Sequence, residues 1–453
     1  MNNALTQYTD LYRENRQAID NGSAAPLNAL RPKALEALEA ARRLPVKGDE
    51  GFEKTSVNDM FSLDFGVNIS RVGIPADIAS SFRCGVPNLS TLMGIVVNDR
   101  FTPTSTLVSN LPAGVSMCSL REAAEKHPQL IAGHYGSAAD LSKPGTALNT
   151  LLAQDGVFIH ISRGTHLEKA LQLVSIMAAP TPMASFRRIL IVADEDSAIS
   201  VLKCDHTQVR SAQCLSSEVI EIIARRGARV EFYDIEESNS DTSRYCQVYV
   251  RQHEGAEVNI CGSTLTNGVT RNEYNIDITG PHTRTRLSGM AIGAGTQHID
   301  NCSDLRHAAC HGHSEQTFKY VLDDESTGAF GGSIEVCHGA RFVEAFQSNR
   351  NIIASAGAKM HTKPQLLIYN DDVKCSHGAT TGQLDAKALF YMQTRGIPLA
   401  EARRMLMQAF MADVISAIDL EPLRDRLRHM VERRFDGCEA GCRECLSSKQ
   451  DAN

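Results

Sequence analysis

The sequence has no tryptophan, and aromatic residues make up only 6% of its 453 residues. Proteins that bind single-stranded nucleic acid stack the bases on aromatic side chains, so this composition disfavours that class. An excess of basic charge is also lacking, because the net charge is −7 at pH 7 and no overall field attracts a phosphate backbone. We therefore predict that nucleic acid is not a partner.

Long apolar runs are lacking too. No stretch approaches the roughly 20 apolar residues that cross a bilayer, and residues 1–20 show no apolar signal-peptide segment. We therefore expect a cytoplasmic protein that does not associate with a membrane. The 13 cysteines show no disulfide-framework spacing before residue 438, so most are expected to be free thiols in a reducing compartment.

Catalytic signatures are scarce. The sequence has neither a G-x-x-x-x-G-K-[ST] phosphate loop nor a serine nucleophile elbow. Two carboxylate pairs, Asp323–Asp324 and Asp371–Asp372, would suit a β-helix lyase or hydrolase that acts on carbohydrate. Such pairs also occur in turns, where Asp accepts bonds from local backbone donors. A non-enzymatic chain is the favoured prediction, and a carbohydrate-active enzyme is the alternative.

Short β segments dominate the middle of the chain. They are rich in Val, Ile, Phe and Tyr and are separated by Gly, Asn, Asp and Ser. Long helices between them are scarce, and Asn267-Gly268 is the exception to a near absence of Asn-Gly hairpin signals. This pattern predicts a right-handed parallel β-helix, with an antiparallel β-sandwich as the runner-up. The predicted segments include 157–161, 188–192, 198–202, 219–223, 230–233, 247–250, 258–260, 274–278, 334–336 and 366–369.

Helical patterns flank the β region on both sides. Apolar residues recur at three-to-four spacing in the first 60 residues, and 119–125 is a further helix candidate. Three helices are predicted near the end, at 386–394, 399–418 and 421–434, the last with an arginine-rich face that is either solvated or binds a partner. The predicted fold is mainly β with helical ends, divided into an N-terminal mostly helical domain (1–155), a β-helix core (156–378) and a C-terminal helical domain with a cysteine-containing tail (379–453).

The segment 363–385 combines a short strand, an Asp pair, and a thiol and an imidazole two residues apart. Cys375 and His377 would face the same side of an extended chain. Thiolate and imidazole are both ligands for soft metals, so this pair could form half of such a site, although a Cys-x-His pair by itself is more often structural than a ligand. The strand is predicted to turn into a helical segment at Gly378 and Gly382.

Several motifs resemble the SufB/SufD family of iron–sulfur cluster assembly scaffold proteins. They are CSHG at 375–378, QHIDN at 297–301, FGGSI at 330–334, AFQSN at 345–349 and ALNTLLAQDGVFI at 147–159. The likeness runs from about residue 110 to about 420. Residues 307–319 resemble a His-rich family element, but Cys310 and Gly312 depart from its pattern. This departure argues against His307, His311 and His313 as a ligand set.

The resemblance favours the SufD branch, because this chain has CSHG and lacks the N-terminal cysteine cluster of SufB-like chains. It implies a non-catalytic scaffold that pairs with a SufB-like β-helix protein and binds a SufC-like ABC-type ATPase through its C-terminal helices. It also allows a homodimer when the chain is isolated. The nascent iron–sulfur cluster would form at the subunit interface near His377 and Cys375, and this chain alone would hold no cofactor stably.

Three cysteines at the end of the chain form a separate candidate site. Cys438, Cys442 and Cys445 have the C-x3-C-x2-C spacing that radical S-adenosylmethionine enzymes use for a four-iron cluster. No strand–helix barrel follows them, which disfavours that chemistry. A tail that binds zinc or iron, and a tail of free thiols without a fixed function, both stay open.

Overall fold

The computed structural model describes residues 3–78, 91–208 and 211–436. The first part of the chain is mostly helical, with four short strands. Its helices are α1 Ala4–Asn21, α2 Ala25–Asn28, α3 Arg31–Ala41, α4 Val57–Met60, α5 Ser105–Asn110, α6 Leu120–Lys126, α7 Pro128–His134 and α8 Pro144–Leu152. Its strands are β1 Gly66–Val67, β2 Leu92–Val97, β3 Arg100–Pro103 and β4 Val115–Ser119.

The rest of the chain consists of strands followed by three helices. The strands are β5 Val157–Ile161, β6 Leu171–Met177, β7 Met183–Ala193, β8 Ala198–Thr207, β9 Cys214–Ala224, β10 Arg229–Glu237, β11 Thr242–Gln252, β12 Glu257–Thr266, β13 Val269–Ile278, β14 Arg284–Gly293, β15 His298–His307, β16 His313–Leu322, β17 Thr327–Val336, β18 Val343–Ile353, β19 Lys359–Ile368 and β20 Val373–Gly382. The helices are α9 Ala386–Thr394, α10 Leu399–Ser416 and α11 Glu421–Phe435.

The strands form a parallel β-helix with two sheets. From β5 onward, odd-numbered strands pair in sheet one and even-numbered strands pair in sheet two, each strand lying parallel to the strand two places later. The β-helix predicted from the sequence is therefore confirmed. One register line across sheet two shows how the coils stack: Arg229, Glu257, Arg284, His313, Glu344 and Lys374.

One local prediction was wrong, and one hairpin signal marks a different kind of turn. Asn267-Gly268 connects β12 of sheet two to β13 of sheet one, so it forms a corner between coils rather than a hairpin. The last strand does not end at Gly378 but continues to Gly382, since its pairing with β18 extends to the Ile352–Gly382 pair. The β-helix therefore runs past the predicted end of the core at residue 378. The division into three domains stays a prediction.

One corner of the coil repeats a left-handed backbone conformation. Successive hydrogen bonds run along it, from the Gly227 N–H to the Glu254 carbonyl at 2.9 Å and from the His311 N–H to the Arg341 carbonyl at 2.9 Å. Glycine adopts positive φ without steric cost, whereas other residues adopt it at a cost in conformational energy. Where the corner residue is not glycine, stacking on the neighbouring coils must stabilise this conformation. The residues with positive φ at this corner are Gly164, Asp196, Gly227, Gly255, His282, His311 and Phe342.

Three apolar layers hold the molecule together. The main core fills the space between the two sheets. The N-terminal helices pack on the outer face of sheet one, where Tyr8 lies against Phe61 and Phe186. The helices α10 and α11 pack on the outer face of sheet two, where Met411 and Leu427 are buried. Both faces of the early coils are therefore covered, and strands such as β7 and β9 are buried along their whole length.

Candidate functional site

Cys375 and His377 lie together in β20, at the end of the β-helix. Cys375 is opposite Ala345 of β18, and His377 is opposite Gln347. Ala345 and Gln347 are buried, so this register line faces the interior between the two sheets. Among the described residues no strand pairs with the far edge of β20. His377 is therefore exposed because the stack of coils ends there, and not because its side chain faces outward.

The two side chains have different surroundings. Cys375 is half-buried and packs against the main core, and burial raises the pKa of its thiol even though a backbone hydrogen bond from Ala345 opposes the shift. Cys375 is therefore mainly a protonated packing thiol at neutral pH. The exposed imidazole of His377 has no hydrogen-bond or ion-pair partner among residues 3–78, 91–208 and 211–436. Its nitrogens are free to bind a ligand or move a proton.

A line of polar side chains leads from the interior to His377. Gln347 Nε2 donates to Gln316 Oε1 at 3.2 Å, and Ser303 Oγ donates to the same oxygen at 2.7 Å. Gly332 makes this line possible, because a Cβ at that position would lie 2.3 Å from Gln347 Nε2. The interior beneath His377 is therefore lined by polar side chains. Nearer the corners, the interior of the same coils is lined by apolar side chains.

The edge strands of this end are unpaired, and the rim is apolar at the end of β19. The strands β19 and β20 occupy the edges of their sheets, and Ile368 at the end of β19 is 41% exposed although its register partner Val336 is buried. Leu367 and Tyr369 are exposed beside it. Long apolar edge strands are ready templates for pairing with another chain. The end of the β-helix thus has the character of a contact surface.

A second apolar surface lies on the C-terminal helices. Phe390 and Tyr391 of α9 are largely exposed, and Leu399 and Met405 of α10 are about half exposed. The arginine-rich face predicted on the last helix is partly engaged within the chain, since Arg434 Nη2 donates to Gln297 Oε1 at 2.8 Å. The exposed apolar side chains of α9 and α10 are therefore more available for a partner than Arg434 is.

The His-rich segment does not assemble a ligand set. His307 is buried, its Nε2 lies 2.9 Å from Ser314 Oγ, and burial, with a smaller contribution from His313, lowers its pKa to about 4. His311 stacks between His282 and Phe342 at the outer corner, with ring centroids 4.8 and 5.0 Å apart. His313 Nε2 lies 3.2 Å from Glu315 Oε1. The three imidazoles thus lie in the core, at a corner and in a surface hydrogen bond.

A metal site is not preassembled in the described part of the chain. No group of three or more His, Cys, Asp or Glu side chains there is arranged to hold a metal ion. Cys375 and His377 supply two potential ligands at most, so any further ligands would have to come from another molecule. The predicted tail ligands Cys438, Cys442 and Cys445 lie outside the described residues.

The carboxylate pairs lie in turns. Asp323 Oδ1 accepts the Asp324 N–H at 2.9 Å, and Asp324 Oδ2 accepts the Gly295 N–H at 2.8 Å. Asp371 and Asp372 contribute backbone carbonyls to the last corner, where Asp372 accepts the Phe342 N–H. These bonds confirm the turn interpretation for Asp323 and Asp324, whose carboxylates accept backbone N–H groups, and it stays a prediction for the carboxylates of Asp371 and Asp372.

Sequence reasoning did not identify a buried charge network between the early coils. The Lys203 ammonium contacts Asp205, lies 2.8 Å from Glu218 Oε2 and lies 3.1 Å from Asp234 Oδ1. Arg244 contacts Asp234, and its Nε lies 3.1 Å from Asp205 Oδ2. All of these side chains are buried. The sequence signal that could have revealed the network is the presence of charged residues within otherwise apolar predicted strands.

Electrostatics keep this network charged. Burial opposes ionisation of Lys203, but Asp205, Asp234 and Glu218 together hold the pKa of its ammonium above the ordinary value. Burial also opposes ionisation of Asp205, yet Arg187, Lys203 and Arg244 hold its pKa well below the ordinary range. Each charge is therefore stable only in the presence of the others.

A groove on sheet one was also missed. The loop that precedes α4 crosses the sheet, held where Thr55 Oγ1 contacts Asp300 and lies 2.8 Å from His298 Nε2. Arg271 Nη2 donates to the Gly51 carbonyl at 2.8 Å. The space beneath the loop measures about 760 Å³, and Cys302 lines it. These contacts join residues more than 200 positions apart, which no local pattern reveals.

None of the helices in the described residues has the length and apolar character that a membrane crossing requires.

Comparisons with known proteins place the chain in a family. Residues 175–410 match the model described as "SUF system FeS cluster assembly, SufBD core domain", and residues 2–173 match the model of the SufBD protein N-terminal region. The two matches divide close to the point where the β-helix begins. They account for most of the described residues.

Named relatives agree with the family models. The chain is 26% identical to an iron–sulfur cluster assembly SufBD family protein of Synechocystis, over 95% of this chain and 98% of the relative. It is 24% identical to the iron–sulfur cluster assembly protein SufD of Bacillus subtilis, over 88% and 92% of the two chains. It is 32% identical to SufD of Escherichia coli over 38% of this chain and 41% of the relative. The chain therefore belongs to the SufBD family, whose members take part in iron–sulfur cluster assembly.

Proposed function

We propose that the chain is a non-catalytic scaffold subunit of a cytoplasmic iron–sulfur cluster assembly complex. The observation that carries the proposal is the uncovered interior of the last coil, where the inward-facing His377 is exposed beneath a rim that is apolar at the end of β19. A second β-helix that stacks on β19 and β20 would cover this imidazole. A SufB-like protein is the proposed partner, and a second copy of this chain would occupy the same end when the partner is absent.

The cluster would be the cargo of this interface. Cluster irons are bound mostly by cysteine thiolates, and histidine replaces cysteine in some proteins. His377 and Cys375 lie on one face of β20 and could supply up to two ligands, while the partner would supply the rest. Cysteine binds iron as the thiolate, and burial raises the pKa of Cys375. His377 is therefore the residue on which we place the chemistry, and no cluster is expected to stay on this chain alone.

ATP hydrolysis would come from a separate subunit. The sequence has no phosphate loop, whereas α9 and α10 present exposed apolar side chains, among them Phe390 and Tyr391. We propose that a SufC-like ABC-type ATPase binds the C-terminal helical segment through this surface. For the tail, we propose that Cys438, Cys442 and Cys445 bind zinc or iron, because three thiolates within eight residues can surround one ion.

The test of the scaffold role is the pair His377→Ala and Cys375→Ser, each coexpressed with SufB-like and SufC-like partners. His377→Ala should leave the melting temperature and complex assembly unchanged and abolish cluster formation, measured as iron and acid-labile sulfide per complex. Cys375→Ser should have a weaker effect. His127→Ala is the matched control, because His127 is also exposed but lies between α6 and α7 in the N-terminal region.

A normal cluster content in the His377→Ala complex would show that this residue does not carry the chemistry. A chain that fails to copurify with either partner would overturn the scaffold role itself. The carboxylates of Asp323 and Asp324 accept backbone N–H groups in turns, which disfavours this pair as the catalytic carboxylates of a carbohydrate-active enzyme.

A further inference from the structure

A cleft lies on the opposite side of the molecule from the groove of sheet one. Its floor is the outer face of sheet two at the first residues of β10, β12, β14 and β16, and its volume is about 330 Å³. The connection between α10 and α11 forms a wall and carries Asp419, whose N–H donates to Tyr233 Oη at 3.3 Å. This volume is at the small end of the range for small-molecule sites, about 300–1,000 Å³.

Three hydrogen-bond donors in this cleft are unused. The guanidinium groups of Arg284 and Arg286 line it, and neither has a hydrogen-bond or ion-pair partner among the described residues. Asn259 lies next to Arg286 in the register of sheet two, and its amide Nδ2 is buried without a partner. A buried amide donor that lacks an acceptor costs free energy, so an acceptor supplied from outside would be favoured there.

The acidic residues of the cleft are mostly engaged. Glu257 Oε2 lies 3.1 Å from Arg229 Nε, and Glu315 Oε1 lies 3.2 Å from His313 Nε2. Glu231 Oε2 accepts from Ser200 Oγ at 2.6 Å and from Tyr233 Oη at 3.1 Å. Burial, with a contribution from Asp419, raises the pKa of Glu231. The lining has three guanidinium groups and four carboxyl groups, but the guanidinium groups of Arg284 and Arg286 have no partner in the part of the chain that the structure describes, and they are the groups that an anion would contact.

We propose that this cleft binds a small hydroxylated oxyanion, namely a phosphate- or carboxylate-bearing molecule of about monosaccharide size. Arg284 and Arg286 would hold the oxyanion, because guanidinium groups bind phosphate and carboxylate in a bidentate manner. Asn259 would donate to a further oxygen, and the carboxyl groups of Glu231 and Asp419 would accept from hydroxyl groups. The site does not depend on the proposed scaffold function and lies away from His377.

The test is calorimetric titration of the full chain at low ionic strength with inorganic phosphate, glucose 6-phosphate, glucuronate and, as a neutral control, glucose. The expected result is saturable binding of at least one anionic sugar and none of glucose. Binding of glucose 6-phosphate alone would identify a phosphate site, and binding of glucuronate alone a carboxylate site. Binding of inorganic phosphate as tight as that of either sugar would overturn the monosaccharide-sized class.

Variants distinguish binding in the cleft from a general effect of net charge on the affinity for anions. Arg286→Gln and Asn259→Asp should each weaken binding by at least about tenfold, because each removes a donor and makes the cleft more negative. Arg306→Gln is the matched control: it also removes one positive charge, but from β15 of sheet one, and should change the affinity by less than about twofold. Circular dichroism confirms folding of each variant. Absence of saturation by every probe up to about 10 mM, or an equal loss in Arg306→Gln, would overturn the proposal.

Discussion

The early and the last coils of the β-helix both contain polar side chains that face inward, and these side chains have opposite exposures. Lys203 and Asp205 of β8 face the interior and are buried. His377 of β20 also faces the interior and is exposed. The difference arises from the neighbouring coils, because the position of β8 is covered on both sides and that of β20 on one side only.

This comparison separates two uses of polar groups inside one fold. In the early coils the buried charges pair with charges of the same and of adjacent strands, so the network helps to specify how the coils stack. At the last coil an imidazole without a described partner is left at the surface. The first arrangement is complete within the chain, whereas the second requires another molecule for its completion.

The largest expected effect follows from breaking the buried network. Lys203→Met removes the ammonium and leaves the carboxylates of Asp205, Glu218 and Asp234 short of positive charge. We expect a loss of about 3–5 kcal/mol in unfolding free energy, the usual result of removing one partner from a buried ion pair. Chemical denaturation measures it. Lys374→Met in β20, which breaks a surface pair with Glu344, should cost less than about 1 kcal/mol. Equal losses would contradict the comparison.

The next effect is a pH dependence that originates at His307. Its pKa is lowered to about 4 by burial and, to a smaller extent, by His313. The folded state therefore favours neutral His307, and this contribution is present above about pH 6.5 and is lost as the pH falls towards 4. We expect about 3 kcal/mol of stability to depend on this group.

His307→Gln keeps a hydrogen-bond partner for Ser314. In this variant the unfolding free energy, measured by denaturant titration, should change less between pH 6.5 and pH 4 than in the unmodified protein. His377→Gln, which replaces an exposed imidazole of the last coil, should leave this pH dependence unchanged. A pH dependence that keeps its full size in His307→Gln would mean that other groups cause it.

A smaller effect is expected at the rim of the last coil. Ile368→Lys places a charge where a partner would stack and should weaken binding to a SufB-like protein by at least about tenfold, as truncation of a central interface residue does. Folding stability should change by less than about 0.5 kcal/mol because the side chain is partly exposed already. Leu63→Lys is a control of similar exposure in the N-terminal region. Binding is measured by surface plasmon resonance, and unchanged affinity would exclude this rim from the interface.

The smallest effect is expected from truncation after Phe435. A terminal segment without apolar periodicity contributes little burial, so folding and complex assembly should be unaffected. Bound zinc or iron, measured by mass spectrometry of the metals, should decrease if Cys438, Cys442 and Cys445 bind the ion. Unfolding of the truncated chain would instead indicate a structural metal site in the tail.

Much of the fold could be predicted from local patterns. Residues 386–394 form the predicted helix, and Ser119 caps the helix predicted at 119–125, its Oγ accepting the Glu122 N–H at 3.2 Å. The predicted β segments fall in observed strands, although strands such as β14 and β16 were not among those predicted, and the segments are too short, since many strands span ten or eleven residues. Their charged residues interrupted the apolar runs. Those residues are buried in pairs with other strands, which only the stacking of coils makes possible.

The candidate site was predicted in part. The pattern placed Cys375 and His377 on one face of an extended strand, and the structure confirms this arrangement. It did not reveal that the face is the interior at an open end, because a period of two is the same for both sides of a sheet. The contact of Thr55 with His298 and the approach of Asp419 to sheet two likewise depend on distant parts of the chain.

The corner with repeated positive φ has a consequence for hydrogen exchange. Each coil is bound through its backbone to the coil before and the coil after, as in the bond from the His311 N–H to the Arg341 carbonyl, so stability is passed between nearest neighbours. A stack of this kind opens from its uncovered end. Amide protons of β20 should therefore exchange fastest, followed by those of β18, and the gradient should flatten when a partner chain stacks on the last coil. Exchange rates would then measure how far into the β-helix the influence of a partner extends.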